Sequence, residues 1–167
     1  MILGMSLAAY TELHVIISLL GIVSGLIVLA SLLTGKFLRI VNALFLITTV
    51  LTSAGGYLFP FIHILPSHII GAISLLLLAV AIYALYGAHL AGGWRKTYII
   101  TAMAALYLNC FVLVFQLFLK VPAIHALAPT QSEPPFAIAQ ITVMILFIVL
   151  IIIAVKKFRI HQPGASA

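Results

Sequence analysis

Charge is what this sequence lacks most. Only two of its 167 residues are acidic, Glu12 and Glu133, and only eight are basic. With 6% charged residues against 65% hydrophobic ones, and a mean hydropathy of +1.37, such a chain cannot cover its surface in water. Its solvent is a lipid bilayer. Cysteine is nearly absent too: the single Cys110 lies in an apolar run, which excludes a disulfide framework and a thiolate metal cluster. Two acids and no recognisable nucleophile arrangement leave little for a hydrolase or transferase to work with. In a soluble protein the net charge of +6 would point to nucleic acid, but here topology accounts for the basic residues and no nucleic-acid partner is expected.

Long apolar runs are what it has. A hydrocarbon core of about 30 Å needs roughly 20 apolar residues per helix. Five segments meet that requirement, at about 15–33, 40–61, 69–88, 98–119 and 136–155. None alternates polar and apolar residues as barrel strands do. The expected fold is all-α, a single domain over 1–167, an integral bundle of five transmembrane helices. Met1–Tyr10 has no basic region and no small-residue cleavage site follows, so the first run reads as a span and not as a signal peptide, with Ile2–Tyr10 near the interface.

Under five spans, Lys36, Arg39, Arg95, Lys96, Lys156, Lys157 and Arg159 share one side, while Lys120 falls on the other with both acids. The positive-inside rule then puts the N-terminus outside and the C-terminus in the cytoplasm. Trp94 and Tyr98 read as interfacial aromatics at the start of the fourth helix. Glu133 reads as a residue favoured by the positive end of the last helix dipole.

Three groups of residues invite a functional reading. Ser18, Gly21, Ser24 and Gly25 give the first helix a small-residue face for close helix contact. Thr49, Thr52, Ser53, Asn109 and Gln116 form a polar seam across the second and fourth helices near mid-membrane. That seam suits either a path for a small solute or plain interhelical hydrogen bonds, worth about 0.6 kcal/mol each. No acid or base lies at mid-depth, which disfavours a proton-driven pump.

The third group is histidine. His14, His63, His68 and His125 fall at the outer face, His89 and His161 at the inner one. His14 and His68 each open a helix at matched depth, the arrangement a bis-histidine haem b requires, with Gly21 and Gly25 leaving room beside the ring. A zinc or copper site would instead draw on His63, His68, His125 and Glu12. Without ligation, these histidines are interfacial side chains and no cofactor is bound.

The segments Tyr107–Cys110, Gln116–Pro122 and Ala126–Phe136, with the helix starts Leu13-His14 and Ser67-His68, resemble a family of small multi-spanning bacterial inner-membrane proteins of unassigned activity. That resemblance covers most of the chain and implies a bacterial inner membrane. Histidines at helix ends give a looser resemblance to small haem-binding membrane proteins, from which the helix count and the lack of paired histidines at both faces depart. The expected function is a non-enzymatic accessory or structural membrane component, with the lipid bilayer as partner and a membrane protein or a second copy as neighbour. A haem- or metal-binding redox protein and a small-solute carrier are the alternatives.

Overall fold

The structure, a computed structural model, describes residues 2–60 and 66–159. Among the described residues six α-helices follow in order: α1 (Leu7–Leu33), α2 (Arg39–Gly55), α3 (Pro66–Ile82), α4 (Trp94–Lys120), the single turn α5 (Pro122–His125) and α6 (Pro134–Lys157). A 3-10 turn, Gly56–Leu58, extends α2, and a π turn, Tyr83–Gly87, extends α3. All but α5 are long and apolar enough to cross a membrane once those extensions are counted.

The boundaries follow local chemistry. Ser6 caps α1, its Oγ accepting from the Ala9 N–H at 3.2 Å, so α1 begins at Leu7, earlier than hydropathy alone suggested. At 27 residues it is about 40 Å long, longer than a bilayer core of about 30 Å. Gly35, at φ +73°, closes it in the left-handed conformation that lets the Gly35 N–H reach the Leu32 carbonyl. The π turn ends α3, with the Ala88 N–H bonded to the Tyr83 carbonyl at 2.8 Å. His89 and Leu90 then take φ of 50° and 58°, and burial of Leu90 holds this unusual pair in place. Pro122 stops α4, and Pro134 and Pro135 open α6.

Glu133 stands at the N-cap of α6, yet its carboxylate bonds backwards, to the Thr130 hydroxyl at 2.9 Å and the Thr130 and Ser132 N–H groups. The prolines after it have no N–H to offer. Desolvation pushes the Glu133 carboxyl up, but those hydrogen bonds outweigh it and hold the carboxyl below its ordinary value.

The long helices run alternately up and down, with α4 in the middle, packed against α1, α2, α3 and α6. One end of the bundle is tight. Its core is Val28, Leu29 and Leu32 of α1, Phe45 and Leu46 of α2, Leu78 and Ala81 of α3, and Ile99 to Leu106 of α4, with Phe147 and Ala154 of α6. The small-residue face of α1 serves this packing. Gly21 abuts Thr48 and Thr49 of α2, and a Cβ on Gly25 would lie 2.5 Å from Leu106 Cδ1 and 2.8 Å from Phe45 Cδ2. The space beside Gly21 and Gly25 is therefore filled by protein, not open for a haem ring.

Hydrogen bonds latch this end. Arg95 donates to the carbonyls of Val155 and Phe158, joining α4 to the end of α6, and Tyr98 donates to Asn42 Oδ1, joining α4 to α2. Tyr98 is fully buried, with Phe37 packed on it, so it is a core residue and not the interfacial aromatic its position suggested. Past Leu106 the packing loosens: no residue of α4 is fully covered again until Phe118.

Candidate functional site

Where α4 loses its close neighbours, a chamber of about 520 Å³ opens between α1, α2, α3 and α4. His14, Ser18 and Ile22 line it from α1, Thr52 and Ser53 from α2, His68, Gly71 and Ser74 from α3, and Asn109, Val112, Gln116 and Lys120 from α4. The histidine pair and most of the polar seam are thus one site, which the sequence had presented as two. The seven basic residues of the links and the C-terminal region lie at the opposite, packed end of the bundle.

Four polar atoms in this lining are buried without a hydrogen-bond partner among the described residues: Thr52 Oγ1, Ser74 Oγ, Asn109 Nδ2 and Gln116 Oε1. Ser74 is 2% exposed. In bundles of this kind hydroxyls normally bond back to their own helix, as Ser18 does to the His14 carbonyl at 2.6 Å and Thr48 to Leu44 at 2.7 Å. The Thr52 and Ser74 hydroxyls do not, and the two amide atoms are equally unpartnered, although an unmade bond of this sort costs about 1–3 kcal/mol. They come from three helices and include both donors and acceptors.

At the mouth, each imidazole is framed by aromatics. Tyr10 donates to the Gly55 carbonyl at 2.8 Å, and its ring and that of Phe59 flank His14, with centroids at 6.3 and 5.2 Å. The absent Cβ of Gly55 makes room here, since a methyl there would sit 3.0 Å from the Tyr10 hydroxyl and 3.4 Å from His14 Nδ1. Tyr57 packs on His68 at 5.4 Å and donates to its carbonyl at 2.5 Å. Lys120, exposed at the rim, is the one permanently charged side chain of the lining among the described residues. Val15, Leu19 and Leu117 also border the chamber and are 42, 44 and 38% exposed, so it reaches the lipid-facing surface between α1 and α4.

Other candidates lie elsewhere. Thr49 is fully buried beneath Gly21, outside the chamber lining, with its own Oγ1 unpartnered. His125 holds its Nδ1 3.0 Å from the Phe118 carbonyl and is not part of the lining. Glu12 is exposed on α1, and His63 lies outside the described residues. No three His, Cys, Asp or Glu side chains come together in a metal-holding group among the described residues. Ser74 was missed from sequence because it is a lone hydroxyl in an apolar run. Its signal was the spacing His68, Gly71, Ser74, which puts all three near one helix face. The chain matches no family model, no curated protein and no solved structure.

Proposed function

We propose that this chain binds a small, neutral, amphipathic molecule inside the membrane, in the chamber between α1, α2, α3 and α4, as a carrier or sequestering protein would. The observation that carries the reading is the set of unpartnered polar atoms on Thr52, Ser74, Asn109 and Gln116, four residues from three helices that all line one chamber. A ligand with both hydrogen-bond donors and acceptors would complete them, regaining about 1 kcal/mol or more at each. Absence of an acid or base at that depth favours an uncharged group there, and the apolar walls favour a hydrophobic remainder. Apolar residues at the slot between α1 and α4 give such a molecule a route from the bilayer. Positive-inside asymmetry supports a chamber facing the outside of a bacterial cytoplasmic membrane. The resemblance noted above supports the same membrane.

The test is chemical. Protein purified in mild detergent is extracted with organic solvent and the extract analysed by mass spectrometry, beside a Ser74→Ala/Asn109→Leu variant. A compound enriched stoichiometrically with the natural chain and lost from the variant is the expected result. Empty extracts, together with no binding across a panel of amphipathic hydroxyl- and carbonyl-bearing compounds, would reject the reading.

A second reading has its own support: His14 and His68 line the same chamber from α1 and α3, and their imidazoles are the residues that would hold a haem b there. Visible spectra of protein made in haem-replete cells decide it. A Soret band that disappears in His68→Ala supports haem, and a colourless folded preparation removes it.

A further inference from the structure

We propose that the basic end of the bundle carries a separate binding site for a phosphate-bearing anion. A second cavity, of about 680 Å³, lies there between the start of α2, the π turn after α3 and the end of α6. It is lined by Arg39, His89, Arg159 and Asn42, with Phe37 and Phe158 as apolar wall.

Three independent features give it anion chemistry. The first is uncompensated charge. Arg39 and Arg159 are two guanidiniums around one cavity, and the chain's acidic side chains, Glu12 and Glu133, both belong to the opposite end. The second is a bare helix start. α2 begins at Arg39, a lining residue, and its N-cap, Leu38, has no side chain able to accept, so the partial positive charge of a 17-residue helix start lies uncapped beside the cavity. The third is a buried donor. Asn42 is 1% exposed, its Oδ1 takes the Tyr98 hydroxyl, and its Nδ2 has no hydrogen-bond partner among the described residues. Helix N-terminus, guanidiniums and a free amide donor are the elements that hold phosphate oxygens.

Those features distinguish the cavity from the general basic character of this end. Lys156 and Lys157 carry the same charge a turn away on α6, but neither lines the cavity. Phosphate at a membrane's inner surface comes from two sources, the headgroup of an anionic phospholipid or a soluble phosphate compound. Both present the same oxygens.

The experiment compares the natural chain with Arg39→Gln/Arg159→Gln and with Lys156→Gln/Lys157→Gln, all in dodecyl maltoside. Both arginines are exposed, so their loss leaves the packed core in place. Native mass spectrometry reads the retention of phosphatidylglycerol and phosphatidylcholine, and equilibrium dialysis reads labelled inorganic phosphate. Loss of two charge-assisted contacts should weaken binding at least about tenfold in the arginine variant, with little change in the lysine variant. Phosphatidylglycerol retained over phosphatidylcholine in that pattern supports the site with a lipid as its source. Inorganic phosphate bound in that pattern, with neither lipid preferred, supports it with a soluble source. Equal weakening in both variants, or no binding of either probe, overturns the proposal.

Discussion

Gly25→Ala is the sharpest probe of the division between a packed end and an open one. The new Cβ would sit 2.5 Å from Leu106 Cδ1 and 2.8 and 2.9 Å from the Phe45 ring. Leu106 and Phe45 are both fully buried, so neither has space to swing aside. Overpacking of this kind costs about 1–3 kcal/mol. Against that, alanine is favoured over glycine inside a helix by about 1 kcal/mol. The net expectation is a destabilisation of about 1 kcal/mol, within a range of roughly 0 to 2. The paired control is Gly56→Ala, beside the chamber, where an added Cβ meets nothing within 4 Å. There only the entropic gain remains, about 0.4–1 kcal/mol of stabilisation. Thermal melts of both variants in one detergent, followed by circular dichroism, should therefore move in opposite directions. Equal melting points for the two would refute the packing argument.

Other consequences are as specific. Thr52→Val and Ser74→Ala each remove a buried hydroxyl that has no partner, so the ligand-free protein should hold or gain stability, by up to about 1 kcal/mol, while ligand retention falls. A marked loss of melting temperature in both would show that those hydroxyls are satisfied. Tyr98→Phe strips Asn42 of its partner and should cost about 1–3 kcal/mol in a denaturation series, with the Asn42→Leu/Tyr98→Phe double variant losing less than the sum. Additive losses would contradict the bond. Glu133 is held below its ordinary value of 4.5, so the unfolded chain binds its proton more readily than the folded one. Its contribution is fully present above that ordinary value and is lost as pH falls through the lower folded value. Melting curves from pH about 6 to 3 should show this acid-side loss in the natural chain and a smaller one in Glu133→Gln.

Much of this was legible in the residues, and the parts that were not have physical reasons. Five spans follow from length and hydropathy because a bilayer forces each backbone to satisfy itself within one helix. Helix ends were harder. Ser6 begins α1 through a local cap that hydropathy does not register, and the prolines at 134 and 135 open α6 before its apolar run. The small-residue face announced a close contact but not with whom, since Thr48, Thr49, Phe45 and Leu106 are brought to it by tertiary packing. Tyr98 looked interfacial because its depth is right, and only the fold supplies Asn42 and Phe37 to enclose it. The histidines and the seam looked like competing ideas for a similar reason. Depth can be counted along each helix, but which faces turn toward one another depends on helix rotation, and rotation is what merged His14, His68, Thr52, Asn109 and Gln116 into one chamber.

Accessibility of the chamber from one side only is the most direct measurement of the central claim. In a Cys110→Ala background, Ser18→Cys places a thiol on the chamber wall at a half-buried position and Ala102→Cys places one in the packed end. A membrane-impermeant methanethiosulfonate is applied to sealed vesicles of known orientation, from each face in turn. The expected result is labelling of the Ser18→Cys chain from the face that carries His14 and His68, no labelling from the basic face, and none of the Ala102→Cys chain from either. Labelling at position 18 from the basic face, or protection there from both, would contradict a chamber open at the histidine end and closed at the other.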